Sequence, residues 1–280
     1  MPRLVVAGGL GRRYGGRSMI VHLHASCWNE DRLLPFFFRH YDRLVDHYFI
    51  HDNGSSDRSL EILAAHPRVT VLPLVLEGDS LCQAAFDQVN SFWHRSRGQA
   101  DWVAVCNIDE FFHHPDLRWY LGACQRRGIT FIPTRGYEMV SDAFPAPDDD
   151  LPRTIRMGAR APHYDKPSFF NPDAITDSGF AMARHTAAPR GRVLIPDRQE
   201  VVMLHYKNLG LDYVRVRHAE LGERMRELDR KKKWGFQYDP ELTVQRYHEF
   251  RSLAGEVLPA AGGRHHRRGC HMPRPVRFSG

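Results

Sequence analysis

The chain has 280 residues, 42% of them hydrophobic, enough to bury the core of one large α/β domain or two small ones. No apolar run approaches the ~20 residues of a membrane span, and Met1 to Ser18 holds arginines and glycines with only a short apolar piece, which does not make a secretory signal; cytoplasmic placement is the expectation. The net charge of +6 sits at the ends, with arginines but no acid in residues 1–18 and 264–280 and more acids than bases between them, which argues against a nucleic-acid groove.

The five cysteines, Cys27, Cys82, Cys106, Cys124 and Cys270, are dispersed without a C-x-x-C pair. That spacing argues against both a disulfide framework and structural zinc, and leaves free buried thiols.

In chain order, residues 1–18 read as a flexible leader. Gly8, Gly9, Gly11, Gly15 and Gly16 suggest a phosphate-cradling loop and resemble the glycine-rich loop of sugar-activating nucleotidyltransferases. Such a loop should open a helix, however, and a strand pattern already starts at Met19. Met19 to Ala25 reads as a first strand with His22 and His24 on one face. Cys27 to Asp31 forms a turn with capping residues, and Leu33, Leu34, Phe37, Phe38, Tyr41 and Leu44 recur at helical spacing.

A second strand, Asp46 to Ile50, ends in Asp52-Asn53-Gly54-Ser55-Ser56-Asp57, a tight connection into a helix from Arg58 to Ala64. Asp52 at the strand's carboxyl end is placed to accept hydrogen bonds from a base or a ribose. Val69 to Val75 reads as a third strand and Ser80 to Arg97 as a helix. The apolar run Trp102 to Cys106 reads as a buried strand that ends in Asn107, Asp109 and Glu110. Carboxylates at such an end suit a hard cation, magnesium or manganese, which would in turn hold phosphates. A helix from Asp116 to Arg127 and a strand from Ile129 to Pro133 extend the alternation, which predicts a mostly parallel sheet flanked by helices.

Three stretches together, Trp28-Asn29-Glu30, Asp52 to Asp57 and Asn107-Ile108-Asp109-Glu110-Phe111, resemble glycosyltransferase family 2, with its A-type glycosyltransferase fold. The resemblance covers roughly the first half of the domain. It implies that Trp28, Glu30 and Asp52 line the nucleotide site, and that Asn107 and Asp109 stand where the family's acid-x-acid pair holds cation and donor. Here asparagine replaces the first acid; its oxygen remains but its charge is lost.

The second half is less regular. Lys166, in the stretch from His163 to Pro172, is a candidate for neutralising a phosphate. The strand from Val201 to Lys207 carries His205, and the resemblance implies a late histidine that completes the metal site. Leu211 to Lys233 reads as one long charged helix, some of whose cations are placed to face an anionic donor or a membrane surface. Residues 259–280 lack a core pattern and read as a disordered basic tail.

The expected organisation is therefore a leader (1–18), a glycosyltransferase-like domain (19–258, with a nucleotide-binding half 19–133 and an acceptor half 134–258) and a tail (259–280). The expected chemistry is transfer of a sugar from a nucleotide-diphosphate sugar to a hydroxyl acceptor, assisted by Mn2+ or Mg2+ at Asp109, His205 and Asn107. Asp177, then Asp142 and Glu138, are the carboxylates considered as general base. Two other readings stay open: a non-catalytic nucleotide-sugar or glycan-binding protein on the same fold, and a sugar nucleotidyltransferase using the leader. Donor sugar, acceptor, stereochemistry and oligomeric state are left open.

Overall fold

The computed structural model describes residues 18–258 and 272–278. The glycine-rich loop of the leader and Cys270 lie outside these residues. In order, the elements are β1 (Val21–Cys27), α1 (Leu34–Tyr41), β2 (His47–Asp52), α2 (Ser59–Ala65), β3 (Val69–Pro73), α3 (Leu81–Val89), β4 (Trp102–Asn107), β5 (Glu110–His113), α4 (Leu117–Arg126), β6 (Phe131–Pro133), β7 (Arg135–Ser141), α5 (Leu151–Thr154), β8 (Met157–Arg160), β9 (Pro167–Phe170), β10 (Ile175–Asp177), β11 (Arg190–Gly191), β12 (Leu194–Pro196), β13 (Val202–Leu209), α6 (Leu211–Glu223), α7 (Glu227–Lys231), α8 (Pro240–Leu253), β14 (Gly255–Glu256) and β15 (Pro275–Arg277). Among the described residues, no helix is long and apolar enough to cross a membrane.

The architecture is α/β, with a central, mostly parallel sheet flanked by helices. That sheet runs β3-β2-β1-β4-β9-β6. Its first four strands are mutually parallel, and β9 runs antiparallel to both β4 and β6. The βαβα order of the first hundred residues dictates this, because each helix carries the chain back to start the next strand in the same direction. The strand β4 is buried on both faces, and its alternation is visible in the core. Trp102, Ala104 and Cys106 pack with Phe37 and Tyr41 of α1, while Val103 and Val105 pack with Trp93, Phe170 and Phe180 on the other side.

A second sheet, β14-β8-β7-β13-β5, abuts the first. Only Ile108 and Asp109 separate β4 from β5, so the chain passes from one sheet into the other at the acidic turn. The sequence did not announce β5, because a strand that follows another after two residues looks like its continuation. Strand β13 pairs antiparallel with β5 and parallel with β7, and His205 stands opposite Glu110 on one side and Glu138 on the other.

Two expected helices are shorter than their periodicity suggests. The helix expected to reach Arg97 ends at Val89, and a 3-10 segment, Phe92–Ser96, follows. The Asn90 side-chain oxygen accepts from the Phe180 amide and the Ser178 hydroxyl, which draws the chain out of the helix. The helix expected from Leu211 to Lys233 breaks after Glu223. Buried Asp229 accepts from the Arg226 amide and from Ser80 and Leu81, so it caps α7 and ties it to the start of α3. The tail departs from expectation at Pro275–Arg277, which pairs antiparallel with β12.

Candidate functional site

Because β1, β2 and β4 are parallel, their carboxyl ends share one rim of the sheet. The register sets Cys27 beside Asp52 and Ser26 beside Asn107, so the three motif turns emerge together, at the edge where ligands of open α/β sheets bind. The first two turns are laced to each other. Asn29, held at φ 50°, accepts from the Ser56 amide at 2.8 Å, and its own amide donates to the Ser55 hydroxyl. The Glu30 amide donates to the Ser59 hydroxyl, and the Asp31 amide to Asp57. Asp52 accepts from the Gly54 and Ser55 amides and, at 2.5 Å, from the Ser55 hydroxyl. The turn requires φ 71° at position 54, a conformation open to glycine without strain.

At the third turn a second cluster forms. The His205 Nε2 lies 3.0 Å from Asp109 Oδ2, and its Nδ1 lies 3.2 Å from Glu138 Oε1, close enough for an ion pair though poorly aligned for a hydrogen bond. Burial opposes a charged imidazole here, yet the flanking Asp109 and Glu138 carboxylates raise His205 to about 9. Glu138, pushed up by burial, is drawn down to about 2 by Lys207 and His205. The second carboxylate oxygen of Asp109 is buried and has no hydrogen-bond partner among the described residues. That orphaned oxygen beside an imidazole nitrogen is a donor pair suited to a divalent cation that completes its shell with phosphate oxygens and water. Asp109, Glu110 and His205 offer ligand atoms within 4.8 Å of one another.

Glu110 itself is already committed. It is fully buried, with Lys166 Nζ 2.5 Å from one oxygen and Arg184 2.6 Å from the other. Burial would raise its carboxyl, but the two cations hold it well below the usual carboxylate range. Lys166 is therefore not a free phosphate contact: its ammonium is buried against Glu110. Asn107 is braced as well, its side-chain amide donating to Glu110 at 3.3 Å and its oxygen facing Arg184 at 3.4 Å. Arg184 enters through Ala183 and Arg184 at φ 55° and 60°, a backbone strain that no propensity pattern signals.

Trp28 follows β1 in the first turn. The Arg224 guanidinium sits 3.8 Å from the centroid of its ring and Arg217 5.1 Å. Arg217 donates to the Trp28 carbonyl and pairs with Glu30 at 2.6 Å. Burial raises the Glu30 carboxyl above the ordinary range; Arg217 opposes the rise and Asp109 adds to it. Neither arginine was singled out as a site residue from sequence, although their seven-residue separation puts both on one side of a helical path.

The structure brings together Trp28, Glu30, Asp52, Asn107, Asp109, Glu138, Lys166 and His205. It does not bring in two of the carboxylates considered as base. Asp142 is exposed beyond β7 and pairs with Arg251 at 2.5 Å. Asp177 ends β10 and accepts from the Gly179 amide within its own turn. Glu138 is at the cluster but enclosed, in contact with His205, Lys207 and Asn208.

No protein-family model matches the chain, and no curated protein matches it. Among solved structures, it is similar to TarS from S. aureus (TM-score 0.43, 10% identity), covering 84% of this chain and 44% of that one. It is also similar to TarS 1–349 in complex with UDP-GlcNAc (TM-score 0.42, 9% identity, 84% of this chain and 74% of that one). A third is glucosyl-3-phosphoglycerate synthase from Mycobacterium tuberculosis with Mn2+, UDP and glucosyl-3-phosphoglycerate (TM-score 0.30, 16% identity, 46% of this chain and 50% of that one). The chain thus spans less than half the length of the full TarS chain it matches.

Proposed function

We propose that the protein transfers a sugar from a nucleotide-diphosphate sugar to a hydroxyl acceptor, with Mn2+ or Mg2+ held by Asp109 and His205. The observation that carries this reading is the buried, unpartnered Asp109 oxygen beside His205, at the rim where the Asp52 turn also emerges. A bound cation supplies positive charge to the departing diphosphate. Asp109 contributes the anionic ligand. His205 contributes a nitrogen once it gives up its proton, and Glu138 on the far side of the ring fixes the ring's orientation. Glu110, clamped by Lys166 and Arg184, sets the course of the turn that presents Asp109. Asp52 offers carboxylate oxygens to the nucleoside, and Trp28 seats Arg217 and Arg224 beside its ring.

A second reading, a nucleotide-sugar or glycan-binding protein without turnover, is favoured by one observation: Asp142 and Asp177 are engaged elsewhere and Glu138 is enclosed by cations. A panel of UDP-, GDP- and dTDP-sugars, assayed with Mn2+ for nucleoside diphosphate release and transfer to simple sugar acceptors, separates the two. Turnover that Asp109→Ala abolishes supports transfer. Binding without turnover supports the second reading, and no binding rejects both. Removal of residues 1–18 leaves turnover intact if the glycine-rich leader is not the nucleotide site.

A further inference from the structure

Among the described residues, Arg224 has no ion-pair partner. It follows the last residue of α6 and is half-buried. Among the described residues, Arg217 pairs with Glu30 and Glu220, whereas no carboxylate lies within ion-pair distance of Arg224. The guanidinium carbon sits over Trp28, 3.8 Å from the ring centroid, and its hydrogen-bond partners among the described residues are neutral: the Asn53 carbonyl at 3.5 Å and, with its amide turned, the Asn53 side-chain oxygen at 2.7 Å. A half-buried cation without a counter-ion is costly unless a ligand supplies one. Its surroundings show the cost: burial first, then the like charges of Arg217 and Arg226, lower Arg224 to about 10 against a smaller opposing pull from Tyr238 and Asp52.

The position indicates the ligand. Arg224 lies within electrostatic reach of Asp52, and Arg217, on the same indole, within reach of Asp109. Arg224 reaches Asn53, the neighbour of Asp52 in the second turn, and shares Trp28 with Arg217, which pairs with Glu30 of the first turn. We propose that Arg224, seated on Trp28, binds the diphosphate of the nucleotide directly and holds it without the cation's help. A guanidinium fork matches two phosphate oxygens, and the indole beneath it limits its freedom in the absence of ligand. The inference rests on the nucleotide reading above and adds a residue to it.

The test is a calorimetric titration, in EDTA, of UDP, GDP, inorganic pyrophosphate and the matching nucleosides into the wild-type protein, Arg224→Ala, Arg224→Lys and Arg215→Ala. Arg215 is an exposed cation of the same helix and controls for general charge. Losing a charge-assisted hydrogen bond should weaken diphosphate binding about tenfold or more. The expected result is that loss for Arg224→Ala with the diphosphate and pyrophosphate, a smaller loss for Arg224→Lys, and no change for Arg215→Ala or for the nucleosides. Equal losses in Arg224→Ala and Arg215→Ala, or diphosphate binding unchanged in Arg224→Ala, overturn the inference while leaving the nucleotide site standing. A wild-type protein that binds no nucleotide, with or without Mn2+, overturns the site itself. Circular dichroism of Arg224→Lys confirms that the comparison is made on folded protein.

Discussion

The Asp109 carboxylate and the His205 imidazole, 96 residues apart in the chain, meet at 3.0 Å where the first sheet hands over to the second. The flanking Asp109 and Glu138 carboxylates favour a proton on His205; a cation bound there would take that proton's place between donors already positioned. Glu138 on the far side of the ring is then a positioning residue. Replacing it, Glu138→Gln, keeps the shape and removes the charge. Mn2+ affinity, followed by the free-ion paramagnetic resonance signal, should fall about 10- to 100-fold, as for other outer partners of metal ligands. An unchanged affinity denies Glu138 that role.

The clamp on Glu110 is a matter of stability. Lys166→Met leaves the fully buried carboxylate with Arg184 as its one remaining cation at ion-pair distance among the described residues. Breaking a buried pair by removing one partner costs about 3–5 kcal/mol. Urea unfolding should show a loss of that order, and a loss below about 1 kcal/mol would mean the pair is worth no more than a surface contact.

Asp142 and Asp177 should prove dispensable for chemistry. A general base contributes about 10²- to 10⁴-fold, so a turnover loss in that range for Asp142→Ala or Asp177→Ala would return the residue to the mechanism. The expectation is turnover close to wild type, with Asp177→Ala showing at most a small drop in melting temperature from its lost turn bond.

Buried histidines set the acid limit of the fold. Burial lowers His40, His51 and His218 to about 4, whereas the unfolded chain takes up these protons near pH 6.5. The unfolded state therefore binds more protons between those values, and stability falls as pH drops from about 6.5 to 4. His205 has the opposite sign. Raised to about 9, it contributes stability that is fully present below its unfolded pKa and is lost as pH rises through 9. Melting temperature should peak between these limits and be lower at pH 5 than at pH 7. Equal values at pH 5 and 7 would contradict the assignment, and His51→Phe should flatten the acid limb.

Much of the rim was legible in the sequence because it is built from local signals. The apolar run before Asn107 is a central strand, and the Asp52 turn has the glycine and hydroxyls that its geometry uses. What lay hidden depends on contacts between distant segments. That His205 faces Glu110 and Glu138 follows from the pairing of β13 with β5 and β7, a register no local pattern encodes. Lys166 resembled a phosphate ligand because nothing nearby in sequence reveals that Glu110 will be buried against it. Arg184 reaches the Val105 carbonyl of β4 through a strained turn, and Arg224 stands at the break after α6, just before the helix that Asp229 caps.

The account stands most directly on where a cation and a nucleotide bind. Crystals grown with Mn2+ and a nucleoside diphosphate, with diffraction recorded at the manganese absorption edge, should show one anomalous peak bound by Asp109 and His205 and bridging to the diphosphate, with the nucleoside against Asp52. Manganese elsewhere, or a nucleotide bound away from the Asp52 rim, would contradict it.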